Sequence, residues 1–347
     1  MTSIPVRNVW LLQLLASKLY RDGGIALSGA ELVDRDVIEL VSTILADAAQ
    51  HRLRDGLRVG FERHTADIRR VRGKIDLLGT ARDQLLTRGR IRCTFDELSL
   101  DTPTNRFVRS ALIRATRFPG TDPRCHHLAD QFGASGVSAT KPDGRVVATL
   151  EHDRNASSDL RMIAAAKLIH DLAVPNEQAG SLRTLSLNIN DHYMRRLFEA
   201  AALGAYTANL PTWDVKGGKR LHWDLSSTTV NDATLLPGMI TDIILRPPGA
   251  PPIILDTKFN EILQPTQYRA GKFRSGYLYQ IYSYVMSQQA NPDFGPDTRG
   301  VLLHPVIGKA VNETVVIQGH PFRFATVDLH STYRDIIAGF LGAVDGI

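Results

Sequence analysis

The sequence predicts an α/β protein (α+β overall) in two parts: a mixed helical and β-rich first half, and a second half built on a sheet flanked by helices. Three observations carry this. The first half opens with two amphipathic helical stretches and then changes to short alternating segments after Gly56. The second half follows the order helix, strand, strand, strand, helix, strand, helix. At its centre Leu235–Asn260 reads as two apolar strands joined by a Pro/Gly turn.

In order along the chain, Ile4-Pro5-Val6-Arg7-Asn8 is an extended lead-in, and Asn8 is positioned to cap a helix over Val9–Tyr20. Leu11, Leu12, Leu14, Leu15 and Leu19 give that helix a broad apolar face. A second amphipathic helix is expected over Asp34–Leu53. Leu57–Glu62, Thr65–Val71, Lys74–Leu77 and Arg90–Phe95 then suggest strands. From Arg52 to Arg92 there are twelve Lys/Arg against five Asp/Glu, which fits either an anion-binding surface or an ordinary solvated one. Thr102 caps a helix over Pro103–Phe118, with Pro103 at its first position, and Asp96, Asp101 and Asn105 are read as fixing the loop that enters it. Phe132–Arg145 is rich in loop-forming residues, and a helix over Asp159–Ala173 is expected to end before Pro175. The domains are therefore placed at 1–158 and 159–347, consistent with a length of 347 residues.

The second half is expected to run through a strand at Leu182–Asn188, a helix at Asp191–Tyr206 carrying Glu199 among apolar neighbours, and strands at Leu221–Leu225, Ile240–Arg246 and Ile253–Phe259. A helix at Tyr277–Gln289, a buried strand at Gly300–Pro305 and a helix at Asp328–Val344 complete it.

Composition narrows the function. A hydrophobic content of 43% and charged content of 22% are those of a soluble globular protein, and a net charge of +5 mildly favours an anionic partner. Cys93 and Cys125 are the only cysteines and are read as small buried residues, not a disulfide framework. The apolar run Val9–Ala16 is too short to span a bilayer, so a cytoplasmic protein without membrane contact is expected. Gly217-Gly218-Lys219 lacks the spacing and the Ser/Thr of a phosphate loop, so the chain itself is expected to bind no nucleotide.

The hairpin carries the chemistry. Pro247, Pro248, Gly249, Pro251 and Pro252 force a reversal between its strands. A register centred on Gly249 sets Asp242 opposite Asp256, while Asp256 and Lys258 share one face of their strand. Facing carboxylates destabilise a sheet unless a cation lies between them. Two acids with room for water suit Mg²⁺, and a neighbouring Lys can orient a water or stabilise charge on phosphorus. The spacing D-x(n)-D-x-K resembles the PD-(D/E)xK nuclease motif, with Thr241 where that motif places proline.

Further residues extend this likeness over nearly the whole chain. Ile4–Asn8, Arg72-Gly73-Lys74-Ile75-Asp76, Phe95-Asp96-Glu97-Leu98, Asp101-Thr102, Asn105-Arg106, Trp223-Asp224, Leu235-Leu236-Pro237 through Asp242, Asp256-Thr257-Lys258 and Tyr279-Gln280 with Tyr284 together resemble McrC. McrC is the endonuclease subunit of the modification-dependent McrBC restriction system. The resemblance implies a C-terminal PD-(D/E)xK restriction-endonuclease-like domain, and an N-terminal domain that docks on a hexameric McrB-like AAA+ GTPase. It implies Mg²⁺-dependent cutting of double-stranded DNA containing 5-methylcytosine, with one or two ions. Asp242 and Asp256 would be metal-binding acids, Lys258 the catalytic lysine and Glu199 an added metal-side ligand. Gln280 and Tyr284 match the Q-x-x-x-Y pattern of RecB-like members, which positions nucleic acid or the active-site lysine. Two alternatives stay open: a non-catalytic regulator of an AAA+ ring, and a stand-alone RecB-like repair nuclease.

Overall fold

The computed structural model describes residues 4–22, 37–150, 159–179, 191–223, 235–266 and 269–347. The expected strand at Leu182–Asn188, the start of the second helix at Asp34, and Asp224–Leu225 lie outside the described residues. The principal helices are α1 (Val6–Ala16), α2 (Val37–Asp55), α3 (Pro103–Ala115), α4 (Arg124–Ala134), α5 (Leu160–Ala179), α6 (Asp191–Asn209), α7 (Ser275–Met286) and α8 (Tyr333–Gly342). Short helices at Lys18–Arg21, Leu77–Arg82 and Gly144–Leu150 intervene. Helix α5 continues past Pro175 to Ala179 instead of ending before the proline, so the helix accepts the loss of that residue's N–H.

The compact units do not follow the linear division at residue 158. One unit comprises 38–170, the other 1–37 together with 171–347. The physical reason is the apolar face of α1, which is buried against α6 instead of within the first half. Gly204 allows the two helices to approach, since a Cβ there would lie 1.8 Å from the Leu15 carbonyl oxygen. Asn8 does not cap this helix. It sits inside α1, and its Nδ2 donates to the carbonyls of Leu329 (2.6 Å) and Ser331 (3.2 Å). The helix starts two residues before it because Pro5 already supplies the extended entry and the first free carbonyl. Gly204→Ala is expected to destabilise the protein by at least the roughly 1–3 kcal/mol of an overpacked core, read as a lower denaturant midpoint.

In the 38–170 unit, β1 (Gly60–Ile68), β2 (Lys74–Ile75) and β3 (Ile91–Ser99) form an antiparallel sheet in the order β1-β3-β2. The expected strands at 57–62 and 65–71 merge into β1, because one continuous ladder from Gly60↔Ser99 to Ile68↔Ile91 satisfies the backbone of both. Two of the motif stretches meet here. The Arg72 guanidinium lies 4.4 Å from the Phe95 ring centre and 3.1 Å from Glu97, while Gly73 takes a left-handed φ of 68° against the Thr94 carbonyl. Thr102 caps α3 by accepting from the Asn105 N–H, and Asn105 Nδ2 donates to Arg58 O and Leu100 O, as the loop-fixing reading expects. Cys93 and Cys125 are both fully buried and free.

The second unit centres on a six-stranded mixed sheet in the order β12-β13-β11-β8-β7-β4. Its strands are β4 (Asp214–Gly217), β7 (Ile243–Arg246), β8 (Ile253–Thr257), β11 (Arg299–Pro305), β12 (Asn312–Ile317) and β13 (His320–Val327). β8, β11 and β13 run parallel, and the other neighbours are antiparallel. The strand expected at Leu221–Leu225 as part of this sheet is described only as β5 (Arg220–Leu221), which among the described residues pairs only with β6 (Met239–Ile240), and β4 takes the place beside β7. Two further short strands, β9 (Leu263–Thr266) and β10 (Arg269–Phe273), form a separate ribbon before α7. Helix α7 buries Ile281, Tyr284 and Val285 with Ile254, Leu302 and Phe322 of the sheet. Helices α6 and α8 pack together, with Phe198 beside Phe340 and the Tyr206 hydroxyl donating to the Phe340 carbonyl at 2.9 Å. Among the described residues, no helix is long and apolar enough to cross a membrane.

Candidate active site

The site begins with the turn at 247–252. All pairs between β7 and β8, Ile243↔Leu255, Ile244↔Ile254 and Leu245↔Ile253, are centred on Gly249, so Asp242 arrives opposite Asp256 as expected. The strand expected over Ile240–Arg246 is interrupted where it reaches the acid. Asp242 occupies a bend between β6 and β7, because the Asp242 carbonyl accepts from Gly218 N (2.9 Å) and Thr241 N donates to Lys219 O (3.0 Å). The turn after β4 thereby fixes the backbone on both sides of the acid.

Asp242 Oδ2 accepts from the backbone N–H and the hydroxyl of Thr257, each at 2.7 Å. Asp256 is only 1% exposed, and Lys258 Nζ reaches its Oδ2 at 2.5 Å. This confirms that Asp256 and Lys258 share a face. Lys258 lies just beyond β8, with its N–H donating to Leu303 O at 2.9 Å. Burial, then the negative charge of Asp242, pushes the Asp256 carboxyl up to about 6 against the opposing pull of Lys258.

Glu199 joins the two aspartates electrostatically. Its carboxyl is raised by burial first, then by Asp242 and Asp256, with Arg196 and Lys258 opposing. The neighbouring Phe198 anchors this part of α6 by packing edge-on against Phe259, the residue after Lys258. Gln280 and Tyr284 also share a helix face, and Gln280 Nε2 donates to the Tyr284 hydroxyl at 2.8 Å. Tyr284 packs into the sheet core, and this bond is to its helix neighbour and not to the acids.

Four residues around the cluster escaped the sequence reading. Thr257 holds Asp242, as above. The Tyr277 ring lies 5.4 Å from Lys258 Nζ, and its hydroxyl accepts from Asn260 Nδ2 at 2.5 Å. His304 donates from Nδ1 to the Asn260 carbonyl at 3.0 Å, and burial lowers its pKa to about 4, so it is neutral at pH 7. For Thr257 the signal was its place between Asp256 and Lys258. Tyr277, Asn260 and His304 come from separate segments, and only the fold brings them together.

The donor chemistry suits a hard cation. Three carboxylates face one lysine ammonium, and Asp256 Oδ2 is buried without a hydrogen-bond donor other than the Lys258 ion pair. Among the described residues, however, no three His, Cys, Asp or Glu side chains close around a common point as they stand. Thr257 occupies one oxygen of Asp242 and Lys258 one of Asp256, which leaves their second oxygens for a metal.

Residues 6–305 match the family described as McrBC 5-methylcytosine restriction system component. This chain belongs to that family. A relative from Escherichia coli (strain K12), the type IV methyl-directed restriction enzyme EcoKMcrBC, is 25% identical over 329 residues, covering 94% of this chain and 93% of the relative. Two solved structures are also similar to the chain. A half-complex from a tetradecameric assembly of Thermococcus gammatolerans McrB AAA+ hexamers with bound McrC shares 15% identity, covers 97% of this chain and 75% of its own, and has a TM-score of 0.45. A cryo-EM structure of the Thermococcus gammatolerans McrBC complex shares 17% identity over 59% of each chain, with a TM-score of 0.35. As a McrBC family member the chain is a restriction-system component, and its opposed aspartates lie within the matched span.

Proposed function

We propose that this chain is the DNA-cutting subunit of its restriction system, a Mg²⁺-dependent endonuclease that hydrolyses phosphodiester bonds. The observation that carries the reading is the opposed Asp242/Asp256 pair with Lys258 seated on Asp256. Folding alone explains it poorly, since a buried acid with a raised pKa works against stability. Asp242 and Asp256, with Glu199 beside them, would hold the divalent cation. When bound, that ion supplies Lewis-acid stabilisation of the phosphate and acidifies a water. Thr257 keeps Asp242 in one orientation, and Asp256 holds the Lys258 ammonium where it can stabilise charge developing on the scissile phosphate. The Tyr277 ring confines Lys258 from a second side. Gln280 and Tyr284 present a hydrogen-bonded pair suited to positioning nucleic acid.

The partner in this reading is a McrB-like AAA+ GTPase ring, which supplies recognition of methylated DNA and is stimulated by this chain in return. The docking role expected of residues 1–158 falls to the 38–170 unit, because α1 belongs to the other. That unit exposes the cross-strand pair Phe61 (79%) and Leu98 (66%), an apolar surface suited to a protein partner. In an assay with the AAA+ protein encoded beside it, the full chain is expected to cut 5-methylcytosine-containing plasmid to 5′-phosphate ends only with partner, GTP and Mg²⁺ together. Stimulated nucleotide hydrolysis with no DNA cut under any of these conditions would replace the nuclease reading by that of a pure regulator.

A further inference from the structure

A cationic cleft of about 740 Å³ lies immediately beside Asp242. Helix α6 contributes Leu203 and Thr207 to its wall, one and two turns on from Glu199 on the same face. The turn after β4 contributes Lys216, Gly217, Gly218, Lys219 and Arg220. This is the same turn that hydrogen-bonds the Asp242 backbone, and a Cβ on Gly217 would stand 3.6 Å from the Asp242 carbonyl oxygen. Lys18 and Arg21 enter from the short helix after α1, with Asp22 the acid on this wall.

These cations differ in how they are compensated. Lys216 pairs with Asp214 at 3.0 Å, and Lys219 with Asp293 at 3.6 Å. Among the described residues, Lys18, Arg21 and Arg220 form no ion pair, unlike Lys216 and Lys219 beside them. Arg21 also has its Nε buried without a hydrogen-bond partner, and its stem runs past Gly204 of α6. A buried guanidinium N–H left unsatisfied costs stability unless an anion completes it. The Gly-Gly turn carries no side chain between Lys216 and Lys219, so nothing there blocks an anion from the flanking ammonium groups.

We propose that this cleft binds the phosphodiester backbone of DNA next to the bond being cut. That the bond is cut there rests on the nuclease reading of the adjoining acids; DNA in the cleft rests on the cleft's own cations. A run of regularly spaced charges, one for about every 3.4 Å of axis along a strand, suits five cations spread along a groove better than a single small anion does. The turn fixes both the cleft and Asp242, so a strand held in the cleft is delivered to the acids in one register.

The test measures duplex binding against salt, using the full chain with Asp256→Asn throughout so that nothing is cut. Each phosphate contact contributes about 0.9 to the slope of log affinity against log salt. Lys18→Gln/Arg21→Gln/Arg220→Gln is therefore expected to lower the slope by about 2–3 and to weaken binding at least about tenfold at 0.1 M salt. Lys18→Gln/Arg220→Gln, which spares the half-buried Arg21, is expected to lower it by about 2. Lys309→Gln, at an exposed cation on another wall of the unit, should leave it unchanged. An unchanged slope in the double variant overturns the proposal. So does inorganic triphosphate that raises the Tm of the parent chain but not of the double variant while the DNA slope stays fixed, since the cleft then takes free polyphosphate. Cutting retained by Asp256→Asn in an otherwise native chain assembled with its partner would sink the nuclease reading separately, with a lowered slope still supporting DNA in the cleft.

Discussion

Asp256→Asn is expected to remove DNA cutting, by a factor of about 10³ or more, while making the chain more stable above pH 6. The second half of this expectation follows from linkage. The carboxyl titrates near 3.8 when unfolded and near 6 in the folded protein, so the folded state holds the proton more tightly between those values. Stability therefore falls as pH rises from about 4 to 6, and above 6 the charged group costs the fold on the order of 3 kcal/mol. Asparagine keeps the shape and cannot ionise. Thermal melts in chelator from pH 4 to pH 8 should show the two proteins converging at the acid end and the variant melting higher at the neutral end. Mg²⁺ should then raise the Tm of the parent and leave the variant unmoved. A variant that melts lower than the parent at pH 7.5 in chelator would contradict the strained-acid account.

Lys258→Ala is expected to lower the single-turnover rate of cutting by about 10²–10³ without loss of partner binding. Lys258→Arg should not rescue it, because a planar guanidinium cannot occupy the ammonium's place between Asp256 and the Tyr277 ring. Removing the ammonium also withdraws the charge that holds the Asp256 carboxyl down, so any residual activity should have its acid limb at higher pH than the parent. A rate within threefold of the parent would remove Lys258 from the mechanism.

Much of the hairpin could be read in advance because its determinants are local. Prolines on both sides of Gly249 leave one place for the reversal, and the isoleucine-rich flanks supply buried strands whose register follows from that centre. The alternation of side chains then places Asp256 and Lys258 together without knowledge of the rest. Likewise Gln280 and Tyr284 are one helical turn apart, and their hydrogen bond needs only the helix.

What could not be read depends on distant segments. The break at Asp242 exists because the turn at 218–219 takes up the backbone groups on either side of it. The parallel neighbours β11 and β13 are joined through crossovers, and their order is set by packing across the whole sheet, not by any one stretch. Asn8 looked like a helix cap because Asn before an apolar run ordinarily is one. Its true acceptors lie 321 and 323 residues away. The same distance misplaced the domain boundary, since an amphipathic helix gives no sign of which partner will cover it.

That long reach has a consequence for synthesis. Synthesis delivers Asn8 321 and 323 residues ahead of the carbonyls it binds, those of Leu329 and Ser331. The 38–170 unit can close while later residues are still being made, whereas the unit holding the acids must wait for Leu329 and Ser331 before α1 is held in place. A nascent or prematurely terminated chain thus carries Asp242 and Asp256 without the completed scaffold around them.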